Sequence, residues 1–275
     1  MQYQKHYTRE WVVPDILIPA DLPIEKTEAK LVLTLRENGL VVSGNEYKIV
    51  LAKKEWSQSP VSINKQVVLV DFNNMKPTFD FLKVNYKSAG SVGDALKIKA
   101  DLYVFSGIDQ NSNCSIAEVK QIRALIASGS KVLLLNSESV SKEMYPEYIK
   151  GWIIITEGDI VNMDIPESPV FDDIEPLELR YFNNNRREVP TVCHAAFTIN
   201  RNPDVIALAD HTKIHGYVNG DMEQRSKYME TIKGFPILKI KDNGTVITSS
   251  MSLEKASTDP IAGKLLSNML NDLLK

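Results

Sequence analysis

The stretch that most limits the fold is Ala100–Asn136, ADLYVFSGIDQNSNCSIAEVKQIRALIASGSKVLLLN. Ala100–Phe105 is a short apolar run that stops at Ser106-Gly107, the signature of a buried strand and a turn. Ser115-Ile116-Ala117-Glu118 is a capping box, in which the Ser hydroxyl and the Glu carboxylate each satisfy an open backbone N–H. The helix it opens repeats apolar residues at Ile116, Val119, Ile122 and Leu125-Ile126, and Gly129 ends it. Lys131–Leu135 is a second apolar run. Strand, helix and strand over about forty residues make a βαβ unit, whose strands must be parallel and covered by helices.

The remainder supplies more strands. Gln66–Phe72 reads as buried, Pro77–Ala89 as a helix with Pro77 in its first turn, Ser141–Lys150 as a short helix, and Trp152–Thr156 as a strand. Residues 157–190 are rich in Pro, Asp, Glu and Asn and read as a surface excursion. Pro190–Ile199, Val205–Ala209 and Pro236–Ile240 are strand candidates, and Lys241–Gly244 is a hairpin turn leading into Thr245–Ser250. Asp259-Pro260 opens a last amphipathic helix.

Before this α/β pattern the chain reads differently. Val12–Pro19, Leu31–Leu35 and Leu40–Ala52 are three strand patterns without a helix between them, the last two joined by a turn at Asn38-Gly39. Three strands are too few for an independent sandwich of about seven. Ser57–Pro60 is a linker by composition. The expected division is therefore an antiparallel β segment over 1–58 and an α/β domain over 59–275.

Composition excludes some classes. With 275 residues and a net charge of −3, both signs interspersed, there is no basic face for nucleic acid. No apolar run reaches the length of about eighteen residues that spans a membrane. The start, MQYQKHYTREW, lacks a signal-peptide core, so any export signal is expected elsewhere. No G-x-x-x-x-G-K-[ST] or G-x-G-x-x-G cradles a phosphate, and no nucleotide cofactor is implied.

Candidate chemistry is thin at each point. Asn45-Glu46 has the order of a retaining glycosidase's acid/base pair, but it sits in a hairpin with no partner carboxylate in view; a bend or bulge at Ser43–Asn45 accounts for it. Cys114 precedes a helix, where a thiol pKa falls, yet Cys114 and Val119 also occupy the two positions of a hydrophobic staple. Ser137 follows a strand end, where a nucleophile would sit, but Leu135 and Glu138 stand where an elbow wants glycines. His211 and His215 have helical metal-ligand spacing with strand-like flanks and no H-E-x-x-H. Cys193-His194 lies in a strand pattern, where neighbours face apart. Asp172–Glu175 reads as a solvated turn. The sequons at Asn113 and Asn243 matter only in a glycosylating pathway.

Three stretches together resemble the C-terminal regions of family 2 glycoside hydrolases of the β-galactosidase type. They are Ile18–Pro23 with Leu31–Trp56, then Ser168–Phe182, then Phe235–Leu270. The first is similar to the last strands of an immunoglobulin-like sandwich. The α/β part is similar to the type 1 glutamine-amidotransferase-like fold, which also serves as the trimerisation domain of some β-galactosidases. The resemblance implies a flavodoxin-like, mostly parallel sheet with helices on both faces, preceded by a partial immunoglobulin-like segment.

It also implies a non-catalytic accessory or assembly role. A working amidotransferase carries Gly-x-Cys-x-Gly after the strand ending near Leu135 and a later His-x-Glu; here Asn136-Ser137 stands at the elbow, and no histidine is followed two residues on by Glu. No catalytic residue, cofactor site or metal site is assigned. The implied partners are the barrel and sandwich domains of a parent hydrolase, periplasmic or secreted, and a homo-oligomer. Two alternatives stay open: a hydrolase or transferase using Ser137 or Cys114, and a carbohydrate-binding module with Trp11 or Trp56 as platform, Trp152 being expected in the core.

Overall fold

The computed structural model describes residues 24–58, 65–155, 161–180, 192–215 and 230–275; the side chains at 180, 212–215 and 230–232 fall outside that description. The expected strand at Val12–Pro19 and Trp11 therefore lie outside the described residues.

The βαβ unit forms as its sequence dictates. β5 (Leu102–Ser106) runs into α4 (Ile116–Ala127) and returns as β6 (Lys131–Leu135), with β5 and β6 parallel. The capping box is complete: Glu118 N–H donates to Ser115 Oγ, and Ser115 N–H donates back to Glu118 Oε2 at 2.8 Å. Gly129, at φ 100°, takes the left-handed conformation that ends the helix.

Around this unit the described residues form a 10-stranded sheet. β3 (Val67–Asp71) lies parallel to β5 and to β4 (Tyr86–Ala89), and β12 (Gly244–Ser249) lies parallel to β6. Beyond β12 the sheet turns antiparallel through β11 (Glu230–Asp242), β10 (Val205–His215) and β8 (Val161–Met163), with β9 (Ala195–Ile199) and β7 (Ile149–Ile154) attached to one side. Alternation along each parallel strand feeds two cores. Val67, Leu69, Leu102, Val104, Leu133 and Leu135 meet α2 (Lys76–Phe81) and α6 (Pro260–Leu274) on one face. Val68, Val70, Tyr103, Phe105, Val132 and Leu134 meet α3 (Val92–Ala95), α4 and α5 (Glu138–Met144) on the other. This is an α/β fold with a mostly parallel central sheet and helices on both faces, preceded by a small antiparallel ribbon.

Some expectations change. The helix expected over Pro77–Ala89 ends at Phe81, because Lys83 adopts φ 57° and frees the chain to form the parallel strand β4. The short helix is Glu138–Met144, and the strand after it begins at Ile149. The 157–190 excursion is not merely surface: Val170, Phe171, Ile174 and Leu179 are buried against α6 and its neighbours. Prolines there shape 3₁₀ turns at Pro169–Phe171 and Pro176–Arg180 rather than exposing the chain. Trp152 is 37% exposed, since β7 turns Lys150, Trp152 and Ile154 outward while Ile149 is buried.

Among the described residues β1 (Lys26–Glu37) and β2 (Leu40–Ala52) form a two-stranded sheet. Its bulge falls opposite Leu35/Arg36, at Val41–Ser43, slightly before the expected Ser43–Asn45. The register makes the ribbon two-faced. Glu28, Lys30, Glu46 and Lys48 share one face, where Lys30 pairs with Glu46 at 2.9 Å. Leu31, Leu33, Leu35, Tyr47, Ile49 and Leu51 share the other. The base is tied to the α/β domain by Lys26 Nζ, which reaches Glu178 Oε2 at 3.0 Å and Asp173 O at 2.8 Å.

Candidate functional site

The chain leaves β3 to build β4 on one side and then crosses to β5 on the other. In open α/β sheets, ligands bind outside the carboxyl ends of strands at such a switch point. Here a row of backbone hydrogen bonds stitches those ends into one rim. Phe72 N–H donates to Ser106 O (2.9 Å), Gly107 N–H to Leu135 O (2.8 Å), Asn136 N–H to Ser249 O (2.8 Å) and His194 N–H to Ser250 O (2.7 Å). The loops after β3 and β5 touch. A Cβ on Gly107 would lie 2.9 Å from Asn73 Cβ, and its φ of 65° also favours glycine. Phe72 stands exposed beside this contact.

The turn after β6 is sharp despite its lack of glycines. β6 ends at Leu135, Asn136 takes φ 48°, Ser137 is the N-cap and α5 begins at Glu138. This is a strand–turn–helix elbow made without glycines, because Asn tolerates the left-handed region. The apex is thus an amide, which is not a nucleophile. Ser137, one residue on, is buried; its hydroxyl donates to Leu135 O (2.9 Å) and accepts from Ile108 N–H (3.2 Å). Cys114 is buried in the same apolar cluster as Val119, and burial pushes its thiol up to about 11. Neither alternative nucleophile is presented to a substrate.

Polar groups gather at the rim instead. His194 Nε2 and Glu254 Oε1 lie 3.0 Å apart, and this hydrogen bond holds the imidazolium form to higher pH than usual. Glu138 is largely enclosed; burial raises its pKa, His194 pulls it down, and Asp109 adds to the rise. The Ser250 hydroxyl lies beside Glu138 without closing a hydrogen bond to it. Ser106 Oγ, Asn136 Oδ1, Glu138 Oε1, Ser250 Oγ, Ser252 Oγ and Glu254 Oε2 are all buried atoms with no hydrogen-bond partner among the described residues. Such atoms are rare in native interiors, and each costs about 1–3 kcal/mol when left unmet. Their concentration at one rim marks it as the candidate site.

The other sequence candidates lie elsewhere. His211 is buried in β10, a strand, where positions four apart are separated by about 13 Å. The side chain of His215 lies outside the described residues. Among the described residues no three His, Cys, Asp or Glu side chains gather to hold a metal ion. Cys193 is buried in the core while His194 faces Glu254. Glu46 pairs with Lys30 on the exposed ribbon. The Asp172–Glu175 turn is structural: Asp173 accepts from the Trp56 indole N–H, and Asp172 O accepts from Asn268. Trp56 is itself buried, so it offers no platform. Glu254 and Ser250 belong to no motif; their only sequence signal is their place just after the apolar run of β12.

No protein-family model matches the chain, and no curated protein matches it in sequence. Solved structures resemble it distantly. A putative ThuA-like protein from Bacteroides uniformis is 10% identical, with a TM-score of 0.46 over 74% of this chain and 88% of that one. A cytoplasmic protein from Salmonella typhimurium is 11% identical, with a TM-score of 0.42 over 90% of this chain and 96% of that one. The β-galactosidase of Bacillus circulans sp. alkalophilus is 9% identical, with a TM-score of 0.37 over 72% of this chain and 30% of that one. These are likenesses of fold and carry no argument about function.

Glu138 gives the site a measurable signature. Because its pKa is raised, the folded state holds the proton more tightly than the unfolded state. Stability should therefore fall as pH rises from the ordinary carboxylate range through the raised value. Glu138→Gln keeps the shape and removes that dependence. The variant should match wild type near pH 4 and exceed it at pH 8, read by urea titration. A gap that shrinks with rising pH would contradict the burial argument.

Proposed function

We propose that this chain is a non-catalytic accessory and assembly region of a glycoside hydrolase of the β-galactosidase type. Residues 1–58 would contribute part of an immunoglobulin-like sandwich, and 59–275 a degenerate amidotransferase-like domain. The observation that carries the reading is the two-faced ribbon. Leu33 is 47% exposed, Leu35 64% and Tyr47 49%, all on the face that lacks a covering sheet among the described residues. An isolated two-stranded ribbon is marginal in water and needs a packed face to persist. A face of this composition fits the inner surface of a sandwich, supplied by the parent's other domains or by another copy of the chain. The amide at the elbow apex and the burial of Ser137 and Cys114 support the absence of acyl-transfer chemistry.

The test has two arms. Aryl glycosides, esters and amides should all remain intact with the purified chain; turnover abolished by Ser137→Ala or Cys114→Ala would overturn the reading. In sedimentation velocity the wild type should associate with concentration, and Leu33→Lys with Tyr47→Lys should abolish association without shifting the melting of the α/β domain. A wild type that stays monomeric and binds no apolar dye would remove the basis for assembly through the ribbon.

A further inference from the structure

We infer that Asp164, Asp210 and Lys233 form a proton-dependent clasp, which holds the end strand β8 against β10 and loosens it as pH rises toward neutrality. This goes beyond the accessory reading and does not depend on it.

β8 is short. Among the described residues it ends the sheet and meets β10 through three residue pairs: Val161 with His211, Asn162 with Asp210, and Met163 with Ala209. Alternation puts Asn162 and Asp210 on one face, and Val161, Ala209 and His211 on the other, buried face. On the first face, side chains from three strands close a cluster. Lys233 Nζ of β11 lies 2.9 Å from Asp210 Oδ2 of β10 and 3.4 Å from Asp164 Oδ1, just past the end of β8. Asn162 Nδ2 donates to Asp210 Oδ1 at 3.2 Å. The Phe235 ring, 5.3 Å from the Lys233 ammonium, helps to position it.

One ammonium thus serves two carboxyls, and with both ionised the cluster carries a surplus negative charge. A single proton balances that charge. It also supplies the donor through which the two carboxyls hydrogen-bond to each other. The surroundings divide the pair. Burial raises the pKa of Asp164, Asp210 adds to the rise, and Lys233 opposes it. Burial also disfavours the charge on Asp210, but hydrogen bonds with Asp164, Lys233 and Asn162 outweigh it and hold that carboxyl below the usual range. Lys233 is kept cationic chiefly by its hydrogen bond to Asp210. Asp164 therefore carries the proton and Asp210 the charge. Release of β8 would return both to ordinary carboxyls. The attached state gains from Asp164 at low pH and loses that gain as pH rises through the raised value. It gains from Asp210 above the ordinary carboxylate range and loses that gain as pH falls. Attachment is tightest in the ordinary carboxylate range, about pH 4, and weaker at neutral pH. Loosening uncovers the edge of β10, on which another strand can pair.

The experiment is hydrogen exchange of the whole chain, read by mass spectrometry on peptides covering 161–165 and corrected for the intrinsic pH dependence of exchange. Protection there should fall about tenfold from about pH 4 to about pH 7.5, the factor that a tenfold difference in proton affinity between attached and released strand produces. Asp164→Asn keeps the shape and a donor toward Asp210 at every pH, so its protection should stay level. Lys233→Met removes the cation and should move the fall to higher pH, because the pair then gives up its proton less readily. A merely structural cluster would change protection by the same factor at every pH. Wild-type protection that stays level or rises with pH, or a fall of equal size in Asp164→Asn, would overturn the inference. So would a fall in Lys233→Met that stays in place or moves to lower pH, and this variant decides the matter if Asp164→Asn does not fold.

Discussion

Gly244→Ala should be among the most damaging single substitutions in the chain, costing about 3 kcal/mol or more and lowering Tm by on the order of 10 °C. The reason is distance, not backbone freedom. A Cβ at Gly244 would lie 2.2 Å from Ser130 O and 2.4 Å from Ile126 O. Both are backbone atoms of the turn that ends α4, a turn fixed by Gly129 N–H to Ile126 O (2.8 Å) and Ser130 N–H to Leu125 O (3.2 Å). Neither can give way, so β12 itself must shift, and it lies between β6 and β11. Gly39→Ala is the control. Its φ of 85° is the only obstacle, with nothing within 4 Å, so it should cost about 1 kcal/mol. Thermal melting of the two variants side by side checks the prediction; equal losses would show that conformation, not contact, governs Gly244.

The second large effect is expected at Asn268→Asp. Asn268 is buried on α6, and its amide donates to Val170 O (3.2 Å) and Asp172 O (2.8 Å), tying the last helix to the Pro169–Phe171 turn. Aspartate has nearly the same shape but no donor, so it would aim a buried carboxylate at two carbonyl oxygens. The expected cost at neutral pH is about 3 kcal/mol. Burial would raise the new carboxyl's pKa, so the folded state would hold its proton more tightly. The deficit should therefore shrink as pH falls and the acid regains a donor. A deficit constant between pH 4 and pH 8 would mean that Asn268 acts through packing rather than through its amide.

These two positions show what the sequence could convey. The turn before Gly244 was legible from Asn243-Gly244, and Asn243 does adopt φ 51°. What no local pattern announced was the approach of the α4 turn, over a hundred residues earlier in the chain. Likewise the prolines and acids of 157–190 look like surface, because composition reports solubility and not which apolar residues find a neighbouring helix. The parallel strands and α4 were legible because buried runs and a capping box are local features. The rim was only half legible. Its strand ends were marked by where apolar runs stop, but the partners Glu138, His194 and Glu254 are joined only by folding. The turn after β6 was legible as one without glycines, but not that Asn136 would carry its positive φ.

The place of β12 carries a consequence for how the chain is made. Thr245 pairs with Lys131 on one side, and Ile237 pairs with Ser249 on the other. The strand that joins the parallel half of the sheet to the antiparallel half is therefore synthesised more than a hundred residues after β6. Until then β6 presents an open, apolar edge, the kind of template that recruits strands from other chains. Such long-range pairing slows folding. Nascent chains stopped short of Gly244 should thus be caught by chaperones or aggregate, while emergence of β12 should close the sheet in one late, cooperative step.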